Sequence, residues 1–329
     1  MDALKRGFLK LISSFEINVI EDYPRVRRAQ EIFQTIGAKR FDYVDWEVER
    51  DDGDSIPIRI FPYEEDDREE GIILYFHGGG WATGSIDTYT RICGQIARAY
   101  RRNVCSVDYR LAPEHPFPAG LDDCYTVAER LFCHREALGI AAEDIVLCGD
   151  SAGANLAAAV ALRSRDEGRF LVKRQILFYP TFISDYWSDA SLERYPSLVA
   201  YSEGYGLSTQ RIRDYMDLYV PDPADRQHAY VAPMLAEDWS DLPETLLITA
   251  EFDPLRDEGE AYGQRLRAEG GRVKIVRIEE AIHGFLSLPA ITKPVQQAIA
   301  LMEEYLDHGV TGPDEIEGEG ALEGAAREA

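Results

Sequence analysis

Residues 149–153 place a serine, Ser151, between two glycines in the order Gly-Asp-Ser-Ala-Gly. The apolar run Ile145–Cys148 before it predicts a strand, and the alanine-rich residues from Asn155 predict a helix after it. On such a sharp turn between strand and helix, a serine hydroxyl projects into a cleft and can attack a carbonyl carbon as a nucleophile. A serine between glycines can also be a simple helix N-cap, so the pattern needs partners before it indicates catalysis.

The glycine-rich segment 77–81, His-Gly-Gly-Gly-Trp, follows another predicted strand, Ile72–Phe76. Consecutive glycines allow the backbone to turn several N–H groups toward one point, which is what a tetrahedral oxyanion requires. His77 and Gly78 are expected to support this loop, with Gly78 providing its turn. The alternative is a merely flexible glycine turn, which fits less well with a serine turn later in the same chain order. We expect three backbone N–H groups to form an oxyanion hole, those of Gly79, Gly80 and Ala152.

A nucleophilic serine needs a general base, and the chain contains six histidines. His283 directly follows the last predicted strand and comes after both the serine and the acid, which is the chain order of this chemistry. We therefore predict that His283 activates Ser151. The other five lie in the glycine loop, upstream of the serine, in a helical pattern, in a long insertion or near the tail: His77, His115, His134, His228 and His308.

The base in turn needs a carboxylate that orients the imidazole and stabilises its cation. Asp253 comes shortly after the predicted strand Glu244–Ala250, and Pro254 behind it is expected at the first position of the next helix. Glu251 and Asp257 are rival candidates in the same segment. Asp253 is the best placed of the three, and it could serve as a helix cap as well.

The elements that would position these residues alternate short β-branched runs with helical patterns, which is typical of a mostly parallel sheet covered by helices. The sequence predicts a hairpin over 43–50 and 56–62, then buried strands over 72–76, 103–108, 144–148, 175–179, 244–250 and 272–278. It predicts helices over 1–40, 87–101, 120–137, from about 151, over 208–219 and over 291–307.

The chain of 329 residues is expected to divide into a core, a cap and a tail. The core comprises 43–183 and 236–308, and N-terminal cap helices occupy 1–42. The segment 184–235 is interpreted as a cap insertion, because a connection of that length inside a compact domain is usually functional. An acidic tail, 309–329, is expected to be disordered. Four large residues of the insertion could narrow a pocket or form the core of the cap: Tyr186, Trp187, Tyr201 and Tyr205.

The net charge of −24 makes nucleic acids and acidic membrane surfaces poor partners, because like charges repel. Five irregularly spaced cysteines form no CxxC pair or metal-like cluster and favour reduced thiols in a cytoplasmic protein. The first residues lack an apolar run long enough for a signal peptide, and no stretch approaches the ~18 apolar residues of a membrane span. The expected partner is a small molecule, and assembly into a homo-oligomer is left open.

Together these motifs resemble the hormone-sensitive-lipase-like branch of the α/β hydrolases, and most closely its bacterial acetyl esterases. The resemblance implies an α/β-hydrolase fold with an eight-stranded sheet and a helical cap, no cofactor, and carboxylesterase activity on short acyl chains. It rests on segments that occur in the family's order: 77–81, 108–114, 117–119, 149–155, 253–257 and 283–285. The family's triad falls on Ser151, Asp253 and His283, and its oxyanion donors fall on Gly79, Gly80 and Ala152.

Two other functions remain open from the sequence. Non-catalytic small-molecule receptors use the same fold, although loss of the histidine usually marks them and His283 is present here. An amidase or peptidase could use the same triad, because the acyl-transfer step is shared with ester hydrolysis.

The segment 108–118 lies between the two glycine motifs and combines charged residues with three prolines. We expect Asp108, Arg110 and Glu114 to form a charged network that braces the oxyanion loop. The alternative is an ordinary loop with surface ions. No direct catalytic role is expected for these residues.

Overall fold

The computed structural model describes residues 18–34, 41–63 and 71–316, and the strands in those ranges form one sheet. The strands are β1 (Val44–Glu49), β2 (Ser55–Phe61), β3 (Ile72–Phe76), β4 (Asn103–Val107), β5 (Ile145–Asp150), β6 (Arg174–Phe178), β7 (Glu244–Phe252) and β8 (Val273–Ile282). Their spatial order is β1-β2-β4-β3-β5-β6-β7-β8. The pairs β1–β2 and β2–β4 are antiparallel and the others are parallel. The expected mostly parallel sheet of eight strands is confirmed.

Helices cover both faces of the sheet, α2 and α9 on one face and α3, α4 and α8 on the other. The α-helices of the described ranges are α1 (Val19–Gln34), α2 (Ile86–Tyr100), α3 (Ala119–His134), α4 (Ala152–Glu167), α5 (Asp189–Arg194), α6 (Ser197–Ala200), α7 (Thr209–Tyr219), α8 (Arg256–Ala268) and α9 (Lys293–His308). None of the helices in these ranges has the length and apolar character that crossing a bilayer requires.

The central strand β5 shows why its sequence is a continuous apolar run rather than an alternating one. Val146 and Cys148 pack into the layer with α2 and α9, whereas Ile145 and Leu147 pack into the layer with α3 and α4. Each of these side chains is fully buried. A strand between two helical layers needs apolar residues on both faces. The strand β5 therefore stays buried along its whole length, up to the turn that holds Ser151.

Several strands continue past the apolar runs that predicted them. The strand β5 extends through Asp150, β7 through Phe252 and β8 through Ile282, each ending at the edge where Ser151 lies. The start of α8 differs as well: it begins at Arg256, so the expectation that Pro254 opens the helix is wrong. The Asp253 carboxylate accepts a hydrogen bond from Leu255 N at 2.9 Å, which forms a turn that delays the helix.

The N-terminal prediction of helix over 1–40 is met within the described range by α1. The remaining residues of that prediction, 1–17 and 35–40, lie outside the described residues. The helix α1 packs against α2 and against α7, so it lies beside the segment 184–235.

The first part of the predicted disordered tail is ordered, because residues 314 and 315 pair with the edge strand β8. Glu315 N donates to Ile275 O at 3.0 Å, and Arg277 N donates to Glu315 O at 2.9 Å. Asp314 also accepts a hydrogen bond from Ile275 N. An edge strand has free backbone groups, and this segment satisfies part of them. The rest of the predicted tail, 317–329, lies outside the described residues.

Candidate active site

Ser151 sits on the turn between β5 and α4 with φ 54° and ψ −122°, a backbone conformation that is strained for a residue with a side chain. Close packing maintains the turn. A Cβ atom on Gly149 would lie 2.3 Å from Gly153 O, and one on Gly153 would lie 2.0 Å from Phe76 O, so both positions require glycine. Ser151 N donates to Phe178 O at 2.8 Å. The neighbouring strands therefore fix the serine at the carboxyl edge of the sheet.

Three side chains from separate loops form one hydrogen-bonded chain at this edge. Ser151 Oγ donates to His283 Nε2 at 2.9 Å, and His283 Nδ1 donates to Asp253 Oδ2 at 2.8 Å. The Asp253 side chain is 1% exposed and that of His283 is 12% exposed, so this chain of bonds is largely shielded from water. The ring of Tyr179 packs edge-on against the imidazole at 4.9 Å. The structure thus brings together the hydroxyl, imidazole and carboxylate that the sequence assigned to one site.

The two rival carboxylates are engaged elsewhere. Asp257 accepts a hydrogen bond from Ser197 N at 2.7 Å and pairs with Arg256 at 2.9 Å. Glu251 accepts a hydrogen bond from Glu280 N at 2.6 Å. Neither carboxylate is hydrogen-bonded to the imidazole of His283.

The three amides expected to hold an oxyanion belong to residues that line one cavity with Ser151. Within the described ranges, none of these amides donates a hydrogen bond to a protein acceptor. Gly79 and Gly80 have φ values of 119° and 60°, which favour glycine. Ala152 is the first residue of α4, where free N–H groups and the helix dipole favour negative charge. The arrangement can therefore stabilise an anion beside the serine hydroxyl.

His77 and Gly78 hold the shape of this loop. His77 is fully buried, and burial lowers its pKa to about 4, so the imidazole is neutral at pH 7. Its Nδ1 donates to Gly78 O at 2.8 Å, and its ring stacks on Tyr109 at 4.2 Å. A Cβ atom on Gly78 would lie 2.6 Å from Asp150 Oδ2. These contacts fit the supporting role that the sequence suggested for both residues.

Asp150, the residue before the nucleophile, was not singled out from the sequence. Its buried carboxylate accepts hydrogen bonds from Tyr75 OH at 2.9 Å, Tyr89 OH at 3.0 Å and Gly78 N at 2.9 Å. Burial raises the pKa of the Asp150 carboxyl, and these hydrogen bonds oppose that shift. The one feature of the sequence that could have identified Asp150 is its charge at the end of a buried strand. A buried charge usually needs hydrogen-bond donors or an ion pair.

The predicted single network of Asp108, Arg110 and Glu114 is wrong, because the three charges take separate partners. Asp108 accepts a hydrogen bond from the first backbone N–H of α2, at 3.1 Å. Arg110 pairs with the buried Asp123 at 2.9 Å. Glu114 pairs with Arg27 of α1 at 2.8 Å. The spacing of these residues in the sequence gave no indication of which partners they would take.

Arg27 is one of the residues that link this segment to the glycine loop, and the sequence did not identify it. Its guanidinium donates to Ala82 O at 2.7 Å and to Ala112 O at 2.8 Å, besides pairing with Glu114. One side chain of α1 therefore joins the end of the glycine loop to the proline-rich segment. The bracing that was expected within 108–118 comes in part from α1.

The cavity around Ser151 has a volume of about 250 Å³. The residues that line it from the segment 184–235 belong to α7 and to the turn before it: Gly206, Leu207, Arg211, Ile212 and Tyr215. The ring of Tyr215 lies against Gly80, where an added Cβ atom would come within 2.3 Å of it. Of the two roles left open for four other aromatic residues, narrowing of the pocket is not observed, because none lines this cavity: Tyr186, Trp187, Tyr201 and Tyr205.

Those four residues have other contacts, which explains the difference, and the ring of Trp187 lies under the guanidinium of Arg226 at 4.7 Å. Tyr186 is buried, and its hydroxyl donates to Glu258 at 3.0 Å. Tyr201 and Tyr205 pack against Phe252. Size and aromatic character identified residues that pack, but not the direction in which they point.

The chain is similar to proteins of known family. A family model described as alpha/beta hydrolase fold matches residues 73–287. An arylesterase of Saccharolobus solfataricus is 35% identical over 249 residues, covering 75% of this chain and 78% of the relative. Esterase LipI of Mycobacterium tuberculosis is 36% identical over 267 residues, covering 78% of this chain and 81% of the relative.

A solved structure is similar over nearly its whole length. The hyperthermophilic esterase from the archaeon Pyrobaculum calidifontis has a TM-score of 0.83 and 32% identity, covering 93% of this chain and 97% of that one. The family match begins within β3 and ends just after His283, so it includes Ser151, Asp253 and His283 and the three expected oxyanion donors. The chain therefore belongs to the α/β-hydrolase family, in its hormone-sensitive-lipase-like branch of serine carboxylic-ester hydrolases.

Proposed function

We propose that this protein is a carboxylesterase for short acyl chains, from acetyl to butyryl, with Ser151 as nucleophile, His283 as general base and acid, and Asp253 as the carboxylate that orients the imidazole. The observation that carries the proposal is the hydrogen-bonded chain from Ser151 Oγ through His283 to Asp253. The free amides beside it supply the donors that a tetrahedral intermediate needs.

The reaction proceeds in two halves. In the first half, His283 Nε2 takes the proton of Ser151 Oγ while that oxygen bonds to the ester carbonyl carbon. The bond to the alcohol oxygen then breaks, and His283 gives the alcohol its proton. In the second half, His283 takes a proton from water, the resulting hydroxide oxygen attacks the acyl carbon, and Ser151 regains its proton as the acid leaves. In both halves the oxyanion accepts hydrogen bonds from the N–H groups of Gly79, Gly80 and Ala152.

The size of the cavity supports the preference for short acyl chains. Its volume of about 250 Å³ lies below the roughly 300–1,000 Å³ that drug-sized ligands occupy. Leu207, Ile212 and Tyr215 form an apolar wall on the side of α7. We therefore expect kcat/KM on p-nitrophenyl esters to be highest between acetate and butyrate and to fall beyond them. Faster turnover of palmitate than of acetate would refute this preference.

We also propose that α1 and the segment 184–235 act together as a cap on the core formed by 43–183 and 236–308. The packing of α1 against α7 and the contact of Tyr215 with Gly80 support this division. A cap of this kind would shield the site from water and limit the length of the acyl group.

The test is the hydrolysis of p-nitrophenyl acetate by Ser151→Ala beside the unchanged protein. We expect turnover in this variant to fall to the uncatalysed background. Ser240→Ala removes an exposed serine that does not line the cavity and serves as the matched control, with unchanged turnover. Full activity of Ser151→Ala would end the proposal.

A parallel assay with acetanilide separates ester hydrolysis from amidase or peptidase activity. We expect ester turnover to exceed amide turnover by orders of magnitude. Comparable rates would favour the amidase alternative. Absence of turnover on every acyl substrate, with tight binding of a small molecule, would favour a receptor.

A further inference from the structure

The cavity that contains Ser151 also holds a cation, Arg211 of α7. Its guanidinium donates one hydrogen bond, to Gly206 O at 3.1 Å. Among the residues that the structure describes, no carboxylate forms an ion pair with it. A guanidinium carries five N–H donors, so most of its capacity is available to a ligand.

A second polar side chain lines the same cavity from α1. Gln30 has its Oε1 atom buried, and no hydrogen-bond partner for that atom exists in the described part of the chain. Buried polar atoms without partners are rare, and they indicate a group that a ligand or water satisfies. Rotation of the amide by half a turn exchanges its oxygen and NH₂ group, so Gln30 can offer either an acceptor or a donor there.

The two side chains come from helices that pack on each other. The helix α1 contacts α7, and α7 places Tyr215 on Gly80 of the loop with the oxyanion donors. A substrate bound for attack by Ser151 would therefore extend under both helices. A long aliphatic chain would bury Arg211 without a partner, which is unfavourable for a charged group.

We propose that Arg211 and Gln30 form a subsite for a carboxylate on the substrate, so that the enzyme hydrolyses monoesters of small dicarboxylic acids. A carboxylate matches the planar fork of a guanidinium with two parallel hydrogen bonds, and the NH₂ group of Gln30 adds a third donor. The subsite rests on the proposed function, because it acts only on esters that Ser151 attacks. It defines the substrate class by charge as well as by length.

The test compares two esters that differ in one group. Monoethyl succinate carries the carboxylate, and ethyl 4-methylpentanoate replaces it with an isopropyl group of similar shape. Released acid is titrated at constant pH for the unchanged protein, Arg211→Met, Gln30→Leu and Arg213→Met. Arg213 is the matched control, because it lies on the same helix, donates to Tyr186 O and does not line the cavity.

The measured quantity is the ratio of kcat/KM for the charged ester to that for the neutral ester. We expect Arg211→Met to lower this ratio about ten- to hundredfold, because hydrogen bonds between charged groups are the stronger ones. Gln30→Leu lowers it by a smaller factor. Arg213→Met removes the same charge from α7 and leaves the ratio within threefold.

If Arg211→Met leaves this ratio unchanged, the proposed subsite is refuted. The proposed esterase activity would still stand, because the neutral ester is still hydrolysed. The unchanged protein gives a second measurement that needs no variant. If its kcat/KM for monoethyl succinate is more than a hundredfold below that for the neutral ester, the subsite is also refuted. Failure of the unchanged protein on p-nitrophenyl acetate, or hydrolysis of either ester by Ser151→Ala, counts against the proposed function instead.

Discussion

Asp150 Oδ1 accepts a hydrogen bond from Gly78 N at 2.9 Å, so the residue before the nucleophile is tied to the loop that carries the oxyanion donors. Tyr75 and Tyr89 donate to the same carboxylate, from β3 and from α2. Tyr179 lies within 3.4 Å of it and also packs on His283. The buried carboxylate therefore connects the serine turn, the oxyanion loop and the ring that contacts the base.

Replacement of Asp150 tests this link. Asp150→Asn retains one acceptor oxygen, but it replaces the other with an NH₂ group that cannot accept the present hydrogen bonds. Because Gly78 N donates to this side chain, the oxyanion loop should shift relative to Ser151. We expect kcat on p-nitrophenyl acetate to fall by about tenfold or more, approaching the ~10²–10³ loss that follows removal of an oxyanion donor. The value of KM should change little, because the interaction matters most in the transition state.

The control for Asp150→Asn is Asp144→Asn, just before the amino end of the same strand and far from the site. Near-ultraviolet circular dichroism distinguishes a repositioned loop from a protein that has lost its packing. An Asp150→Asn protein with unchanged kcat would show that the carboxylate only fills space.

The sequence predicted the sheet and the positions of Ser151, Asp253 and His283 in it for a physical reason. Strands buried between two helical layers must be continuous apolar runs, and each reactive residue follows the end of such a run. The strand ends were less predictable, because β8 continues through exposed Glu279 and Glu280 after its apolar run has ended. Beyond a register shift, pairing with β7 resumes between Ile282 and Phe252 and extends the strand, and that pairing leaves no local signal.

Contacts between distant segments could not be predicted. The donors to Asp150 come from three elements, and Arg27 reaches the glycine loop across 55 residues of sequence. The segment 184–235 shows the same limit, since Tyr215 and Arg211 line the cavity while the more conspicuous Tyr186 supports the core. Residue type predicts that a side chain is buried, whereas its direction depends on packing that only the folded chain fixes.

Gly80→Ala tests whether α7 and the oxyanion loop depend on each other. An added Cβ atom would lie 2.3 Å from the ring of Tyr215, so either α7 or the loop must move. We expect a loss of kcat/KM of at least tenfold, together with a lower midpoint of thermal unfolding.

Gly139→Ala is a matched control for Gly80→Ala, because Gly139 also has a left-handed backbone, with φ 69°, but nothing lies within 4 Å of an added Cβ atom. Both positions have a left-handed φ, 60° and 69°, so the loss of stability that exceeds that of Gly139→Ala reports the contact with Tyr215. Equal activity of the two variants would mean that the position of α7 has no influence on the oxyanion donors.

Glu258 gives the stability of the protein a pH dependence of known sign. Its side chain is fully buried at the start of α8, where Oε1 accepts hydrogen bonds from Phe182 N at 2.7 Å and Tyr186 OH at 3.0 Å. Burial raises its pKa from 4.5 to about 8. Unfolded chains therefore lose this proton above pH 4.5, whereas the folded protein keeps it until about pH 8.

The free energy of unfolding should thus be highest below pH 4.5, fall between pH 4.5 and 8, and stay level above that range as far as Glu258 determines it. Since a tenfold difference in proton affinity between the folded and unfolded states corresponds to ~1.4 kcal/mol, the contribution amounts to several kcal/mol.

Glu258→Gln resembles the protonated carboxyl and should remove this fall, which urea unfolding from pH 4.5 to 9 measures. Glu193→Gln, at an exposed position of α5, should retain the slope of the unchanged protein. Parallel curves for Glu258→Gln and the unchanged protein would mean that Glu258 ionises alike in the folded and unfolded states. The hydrogen bonds from Phe182 and Tyr186 would then be accepted by a charged carboxylate.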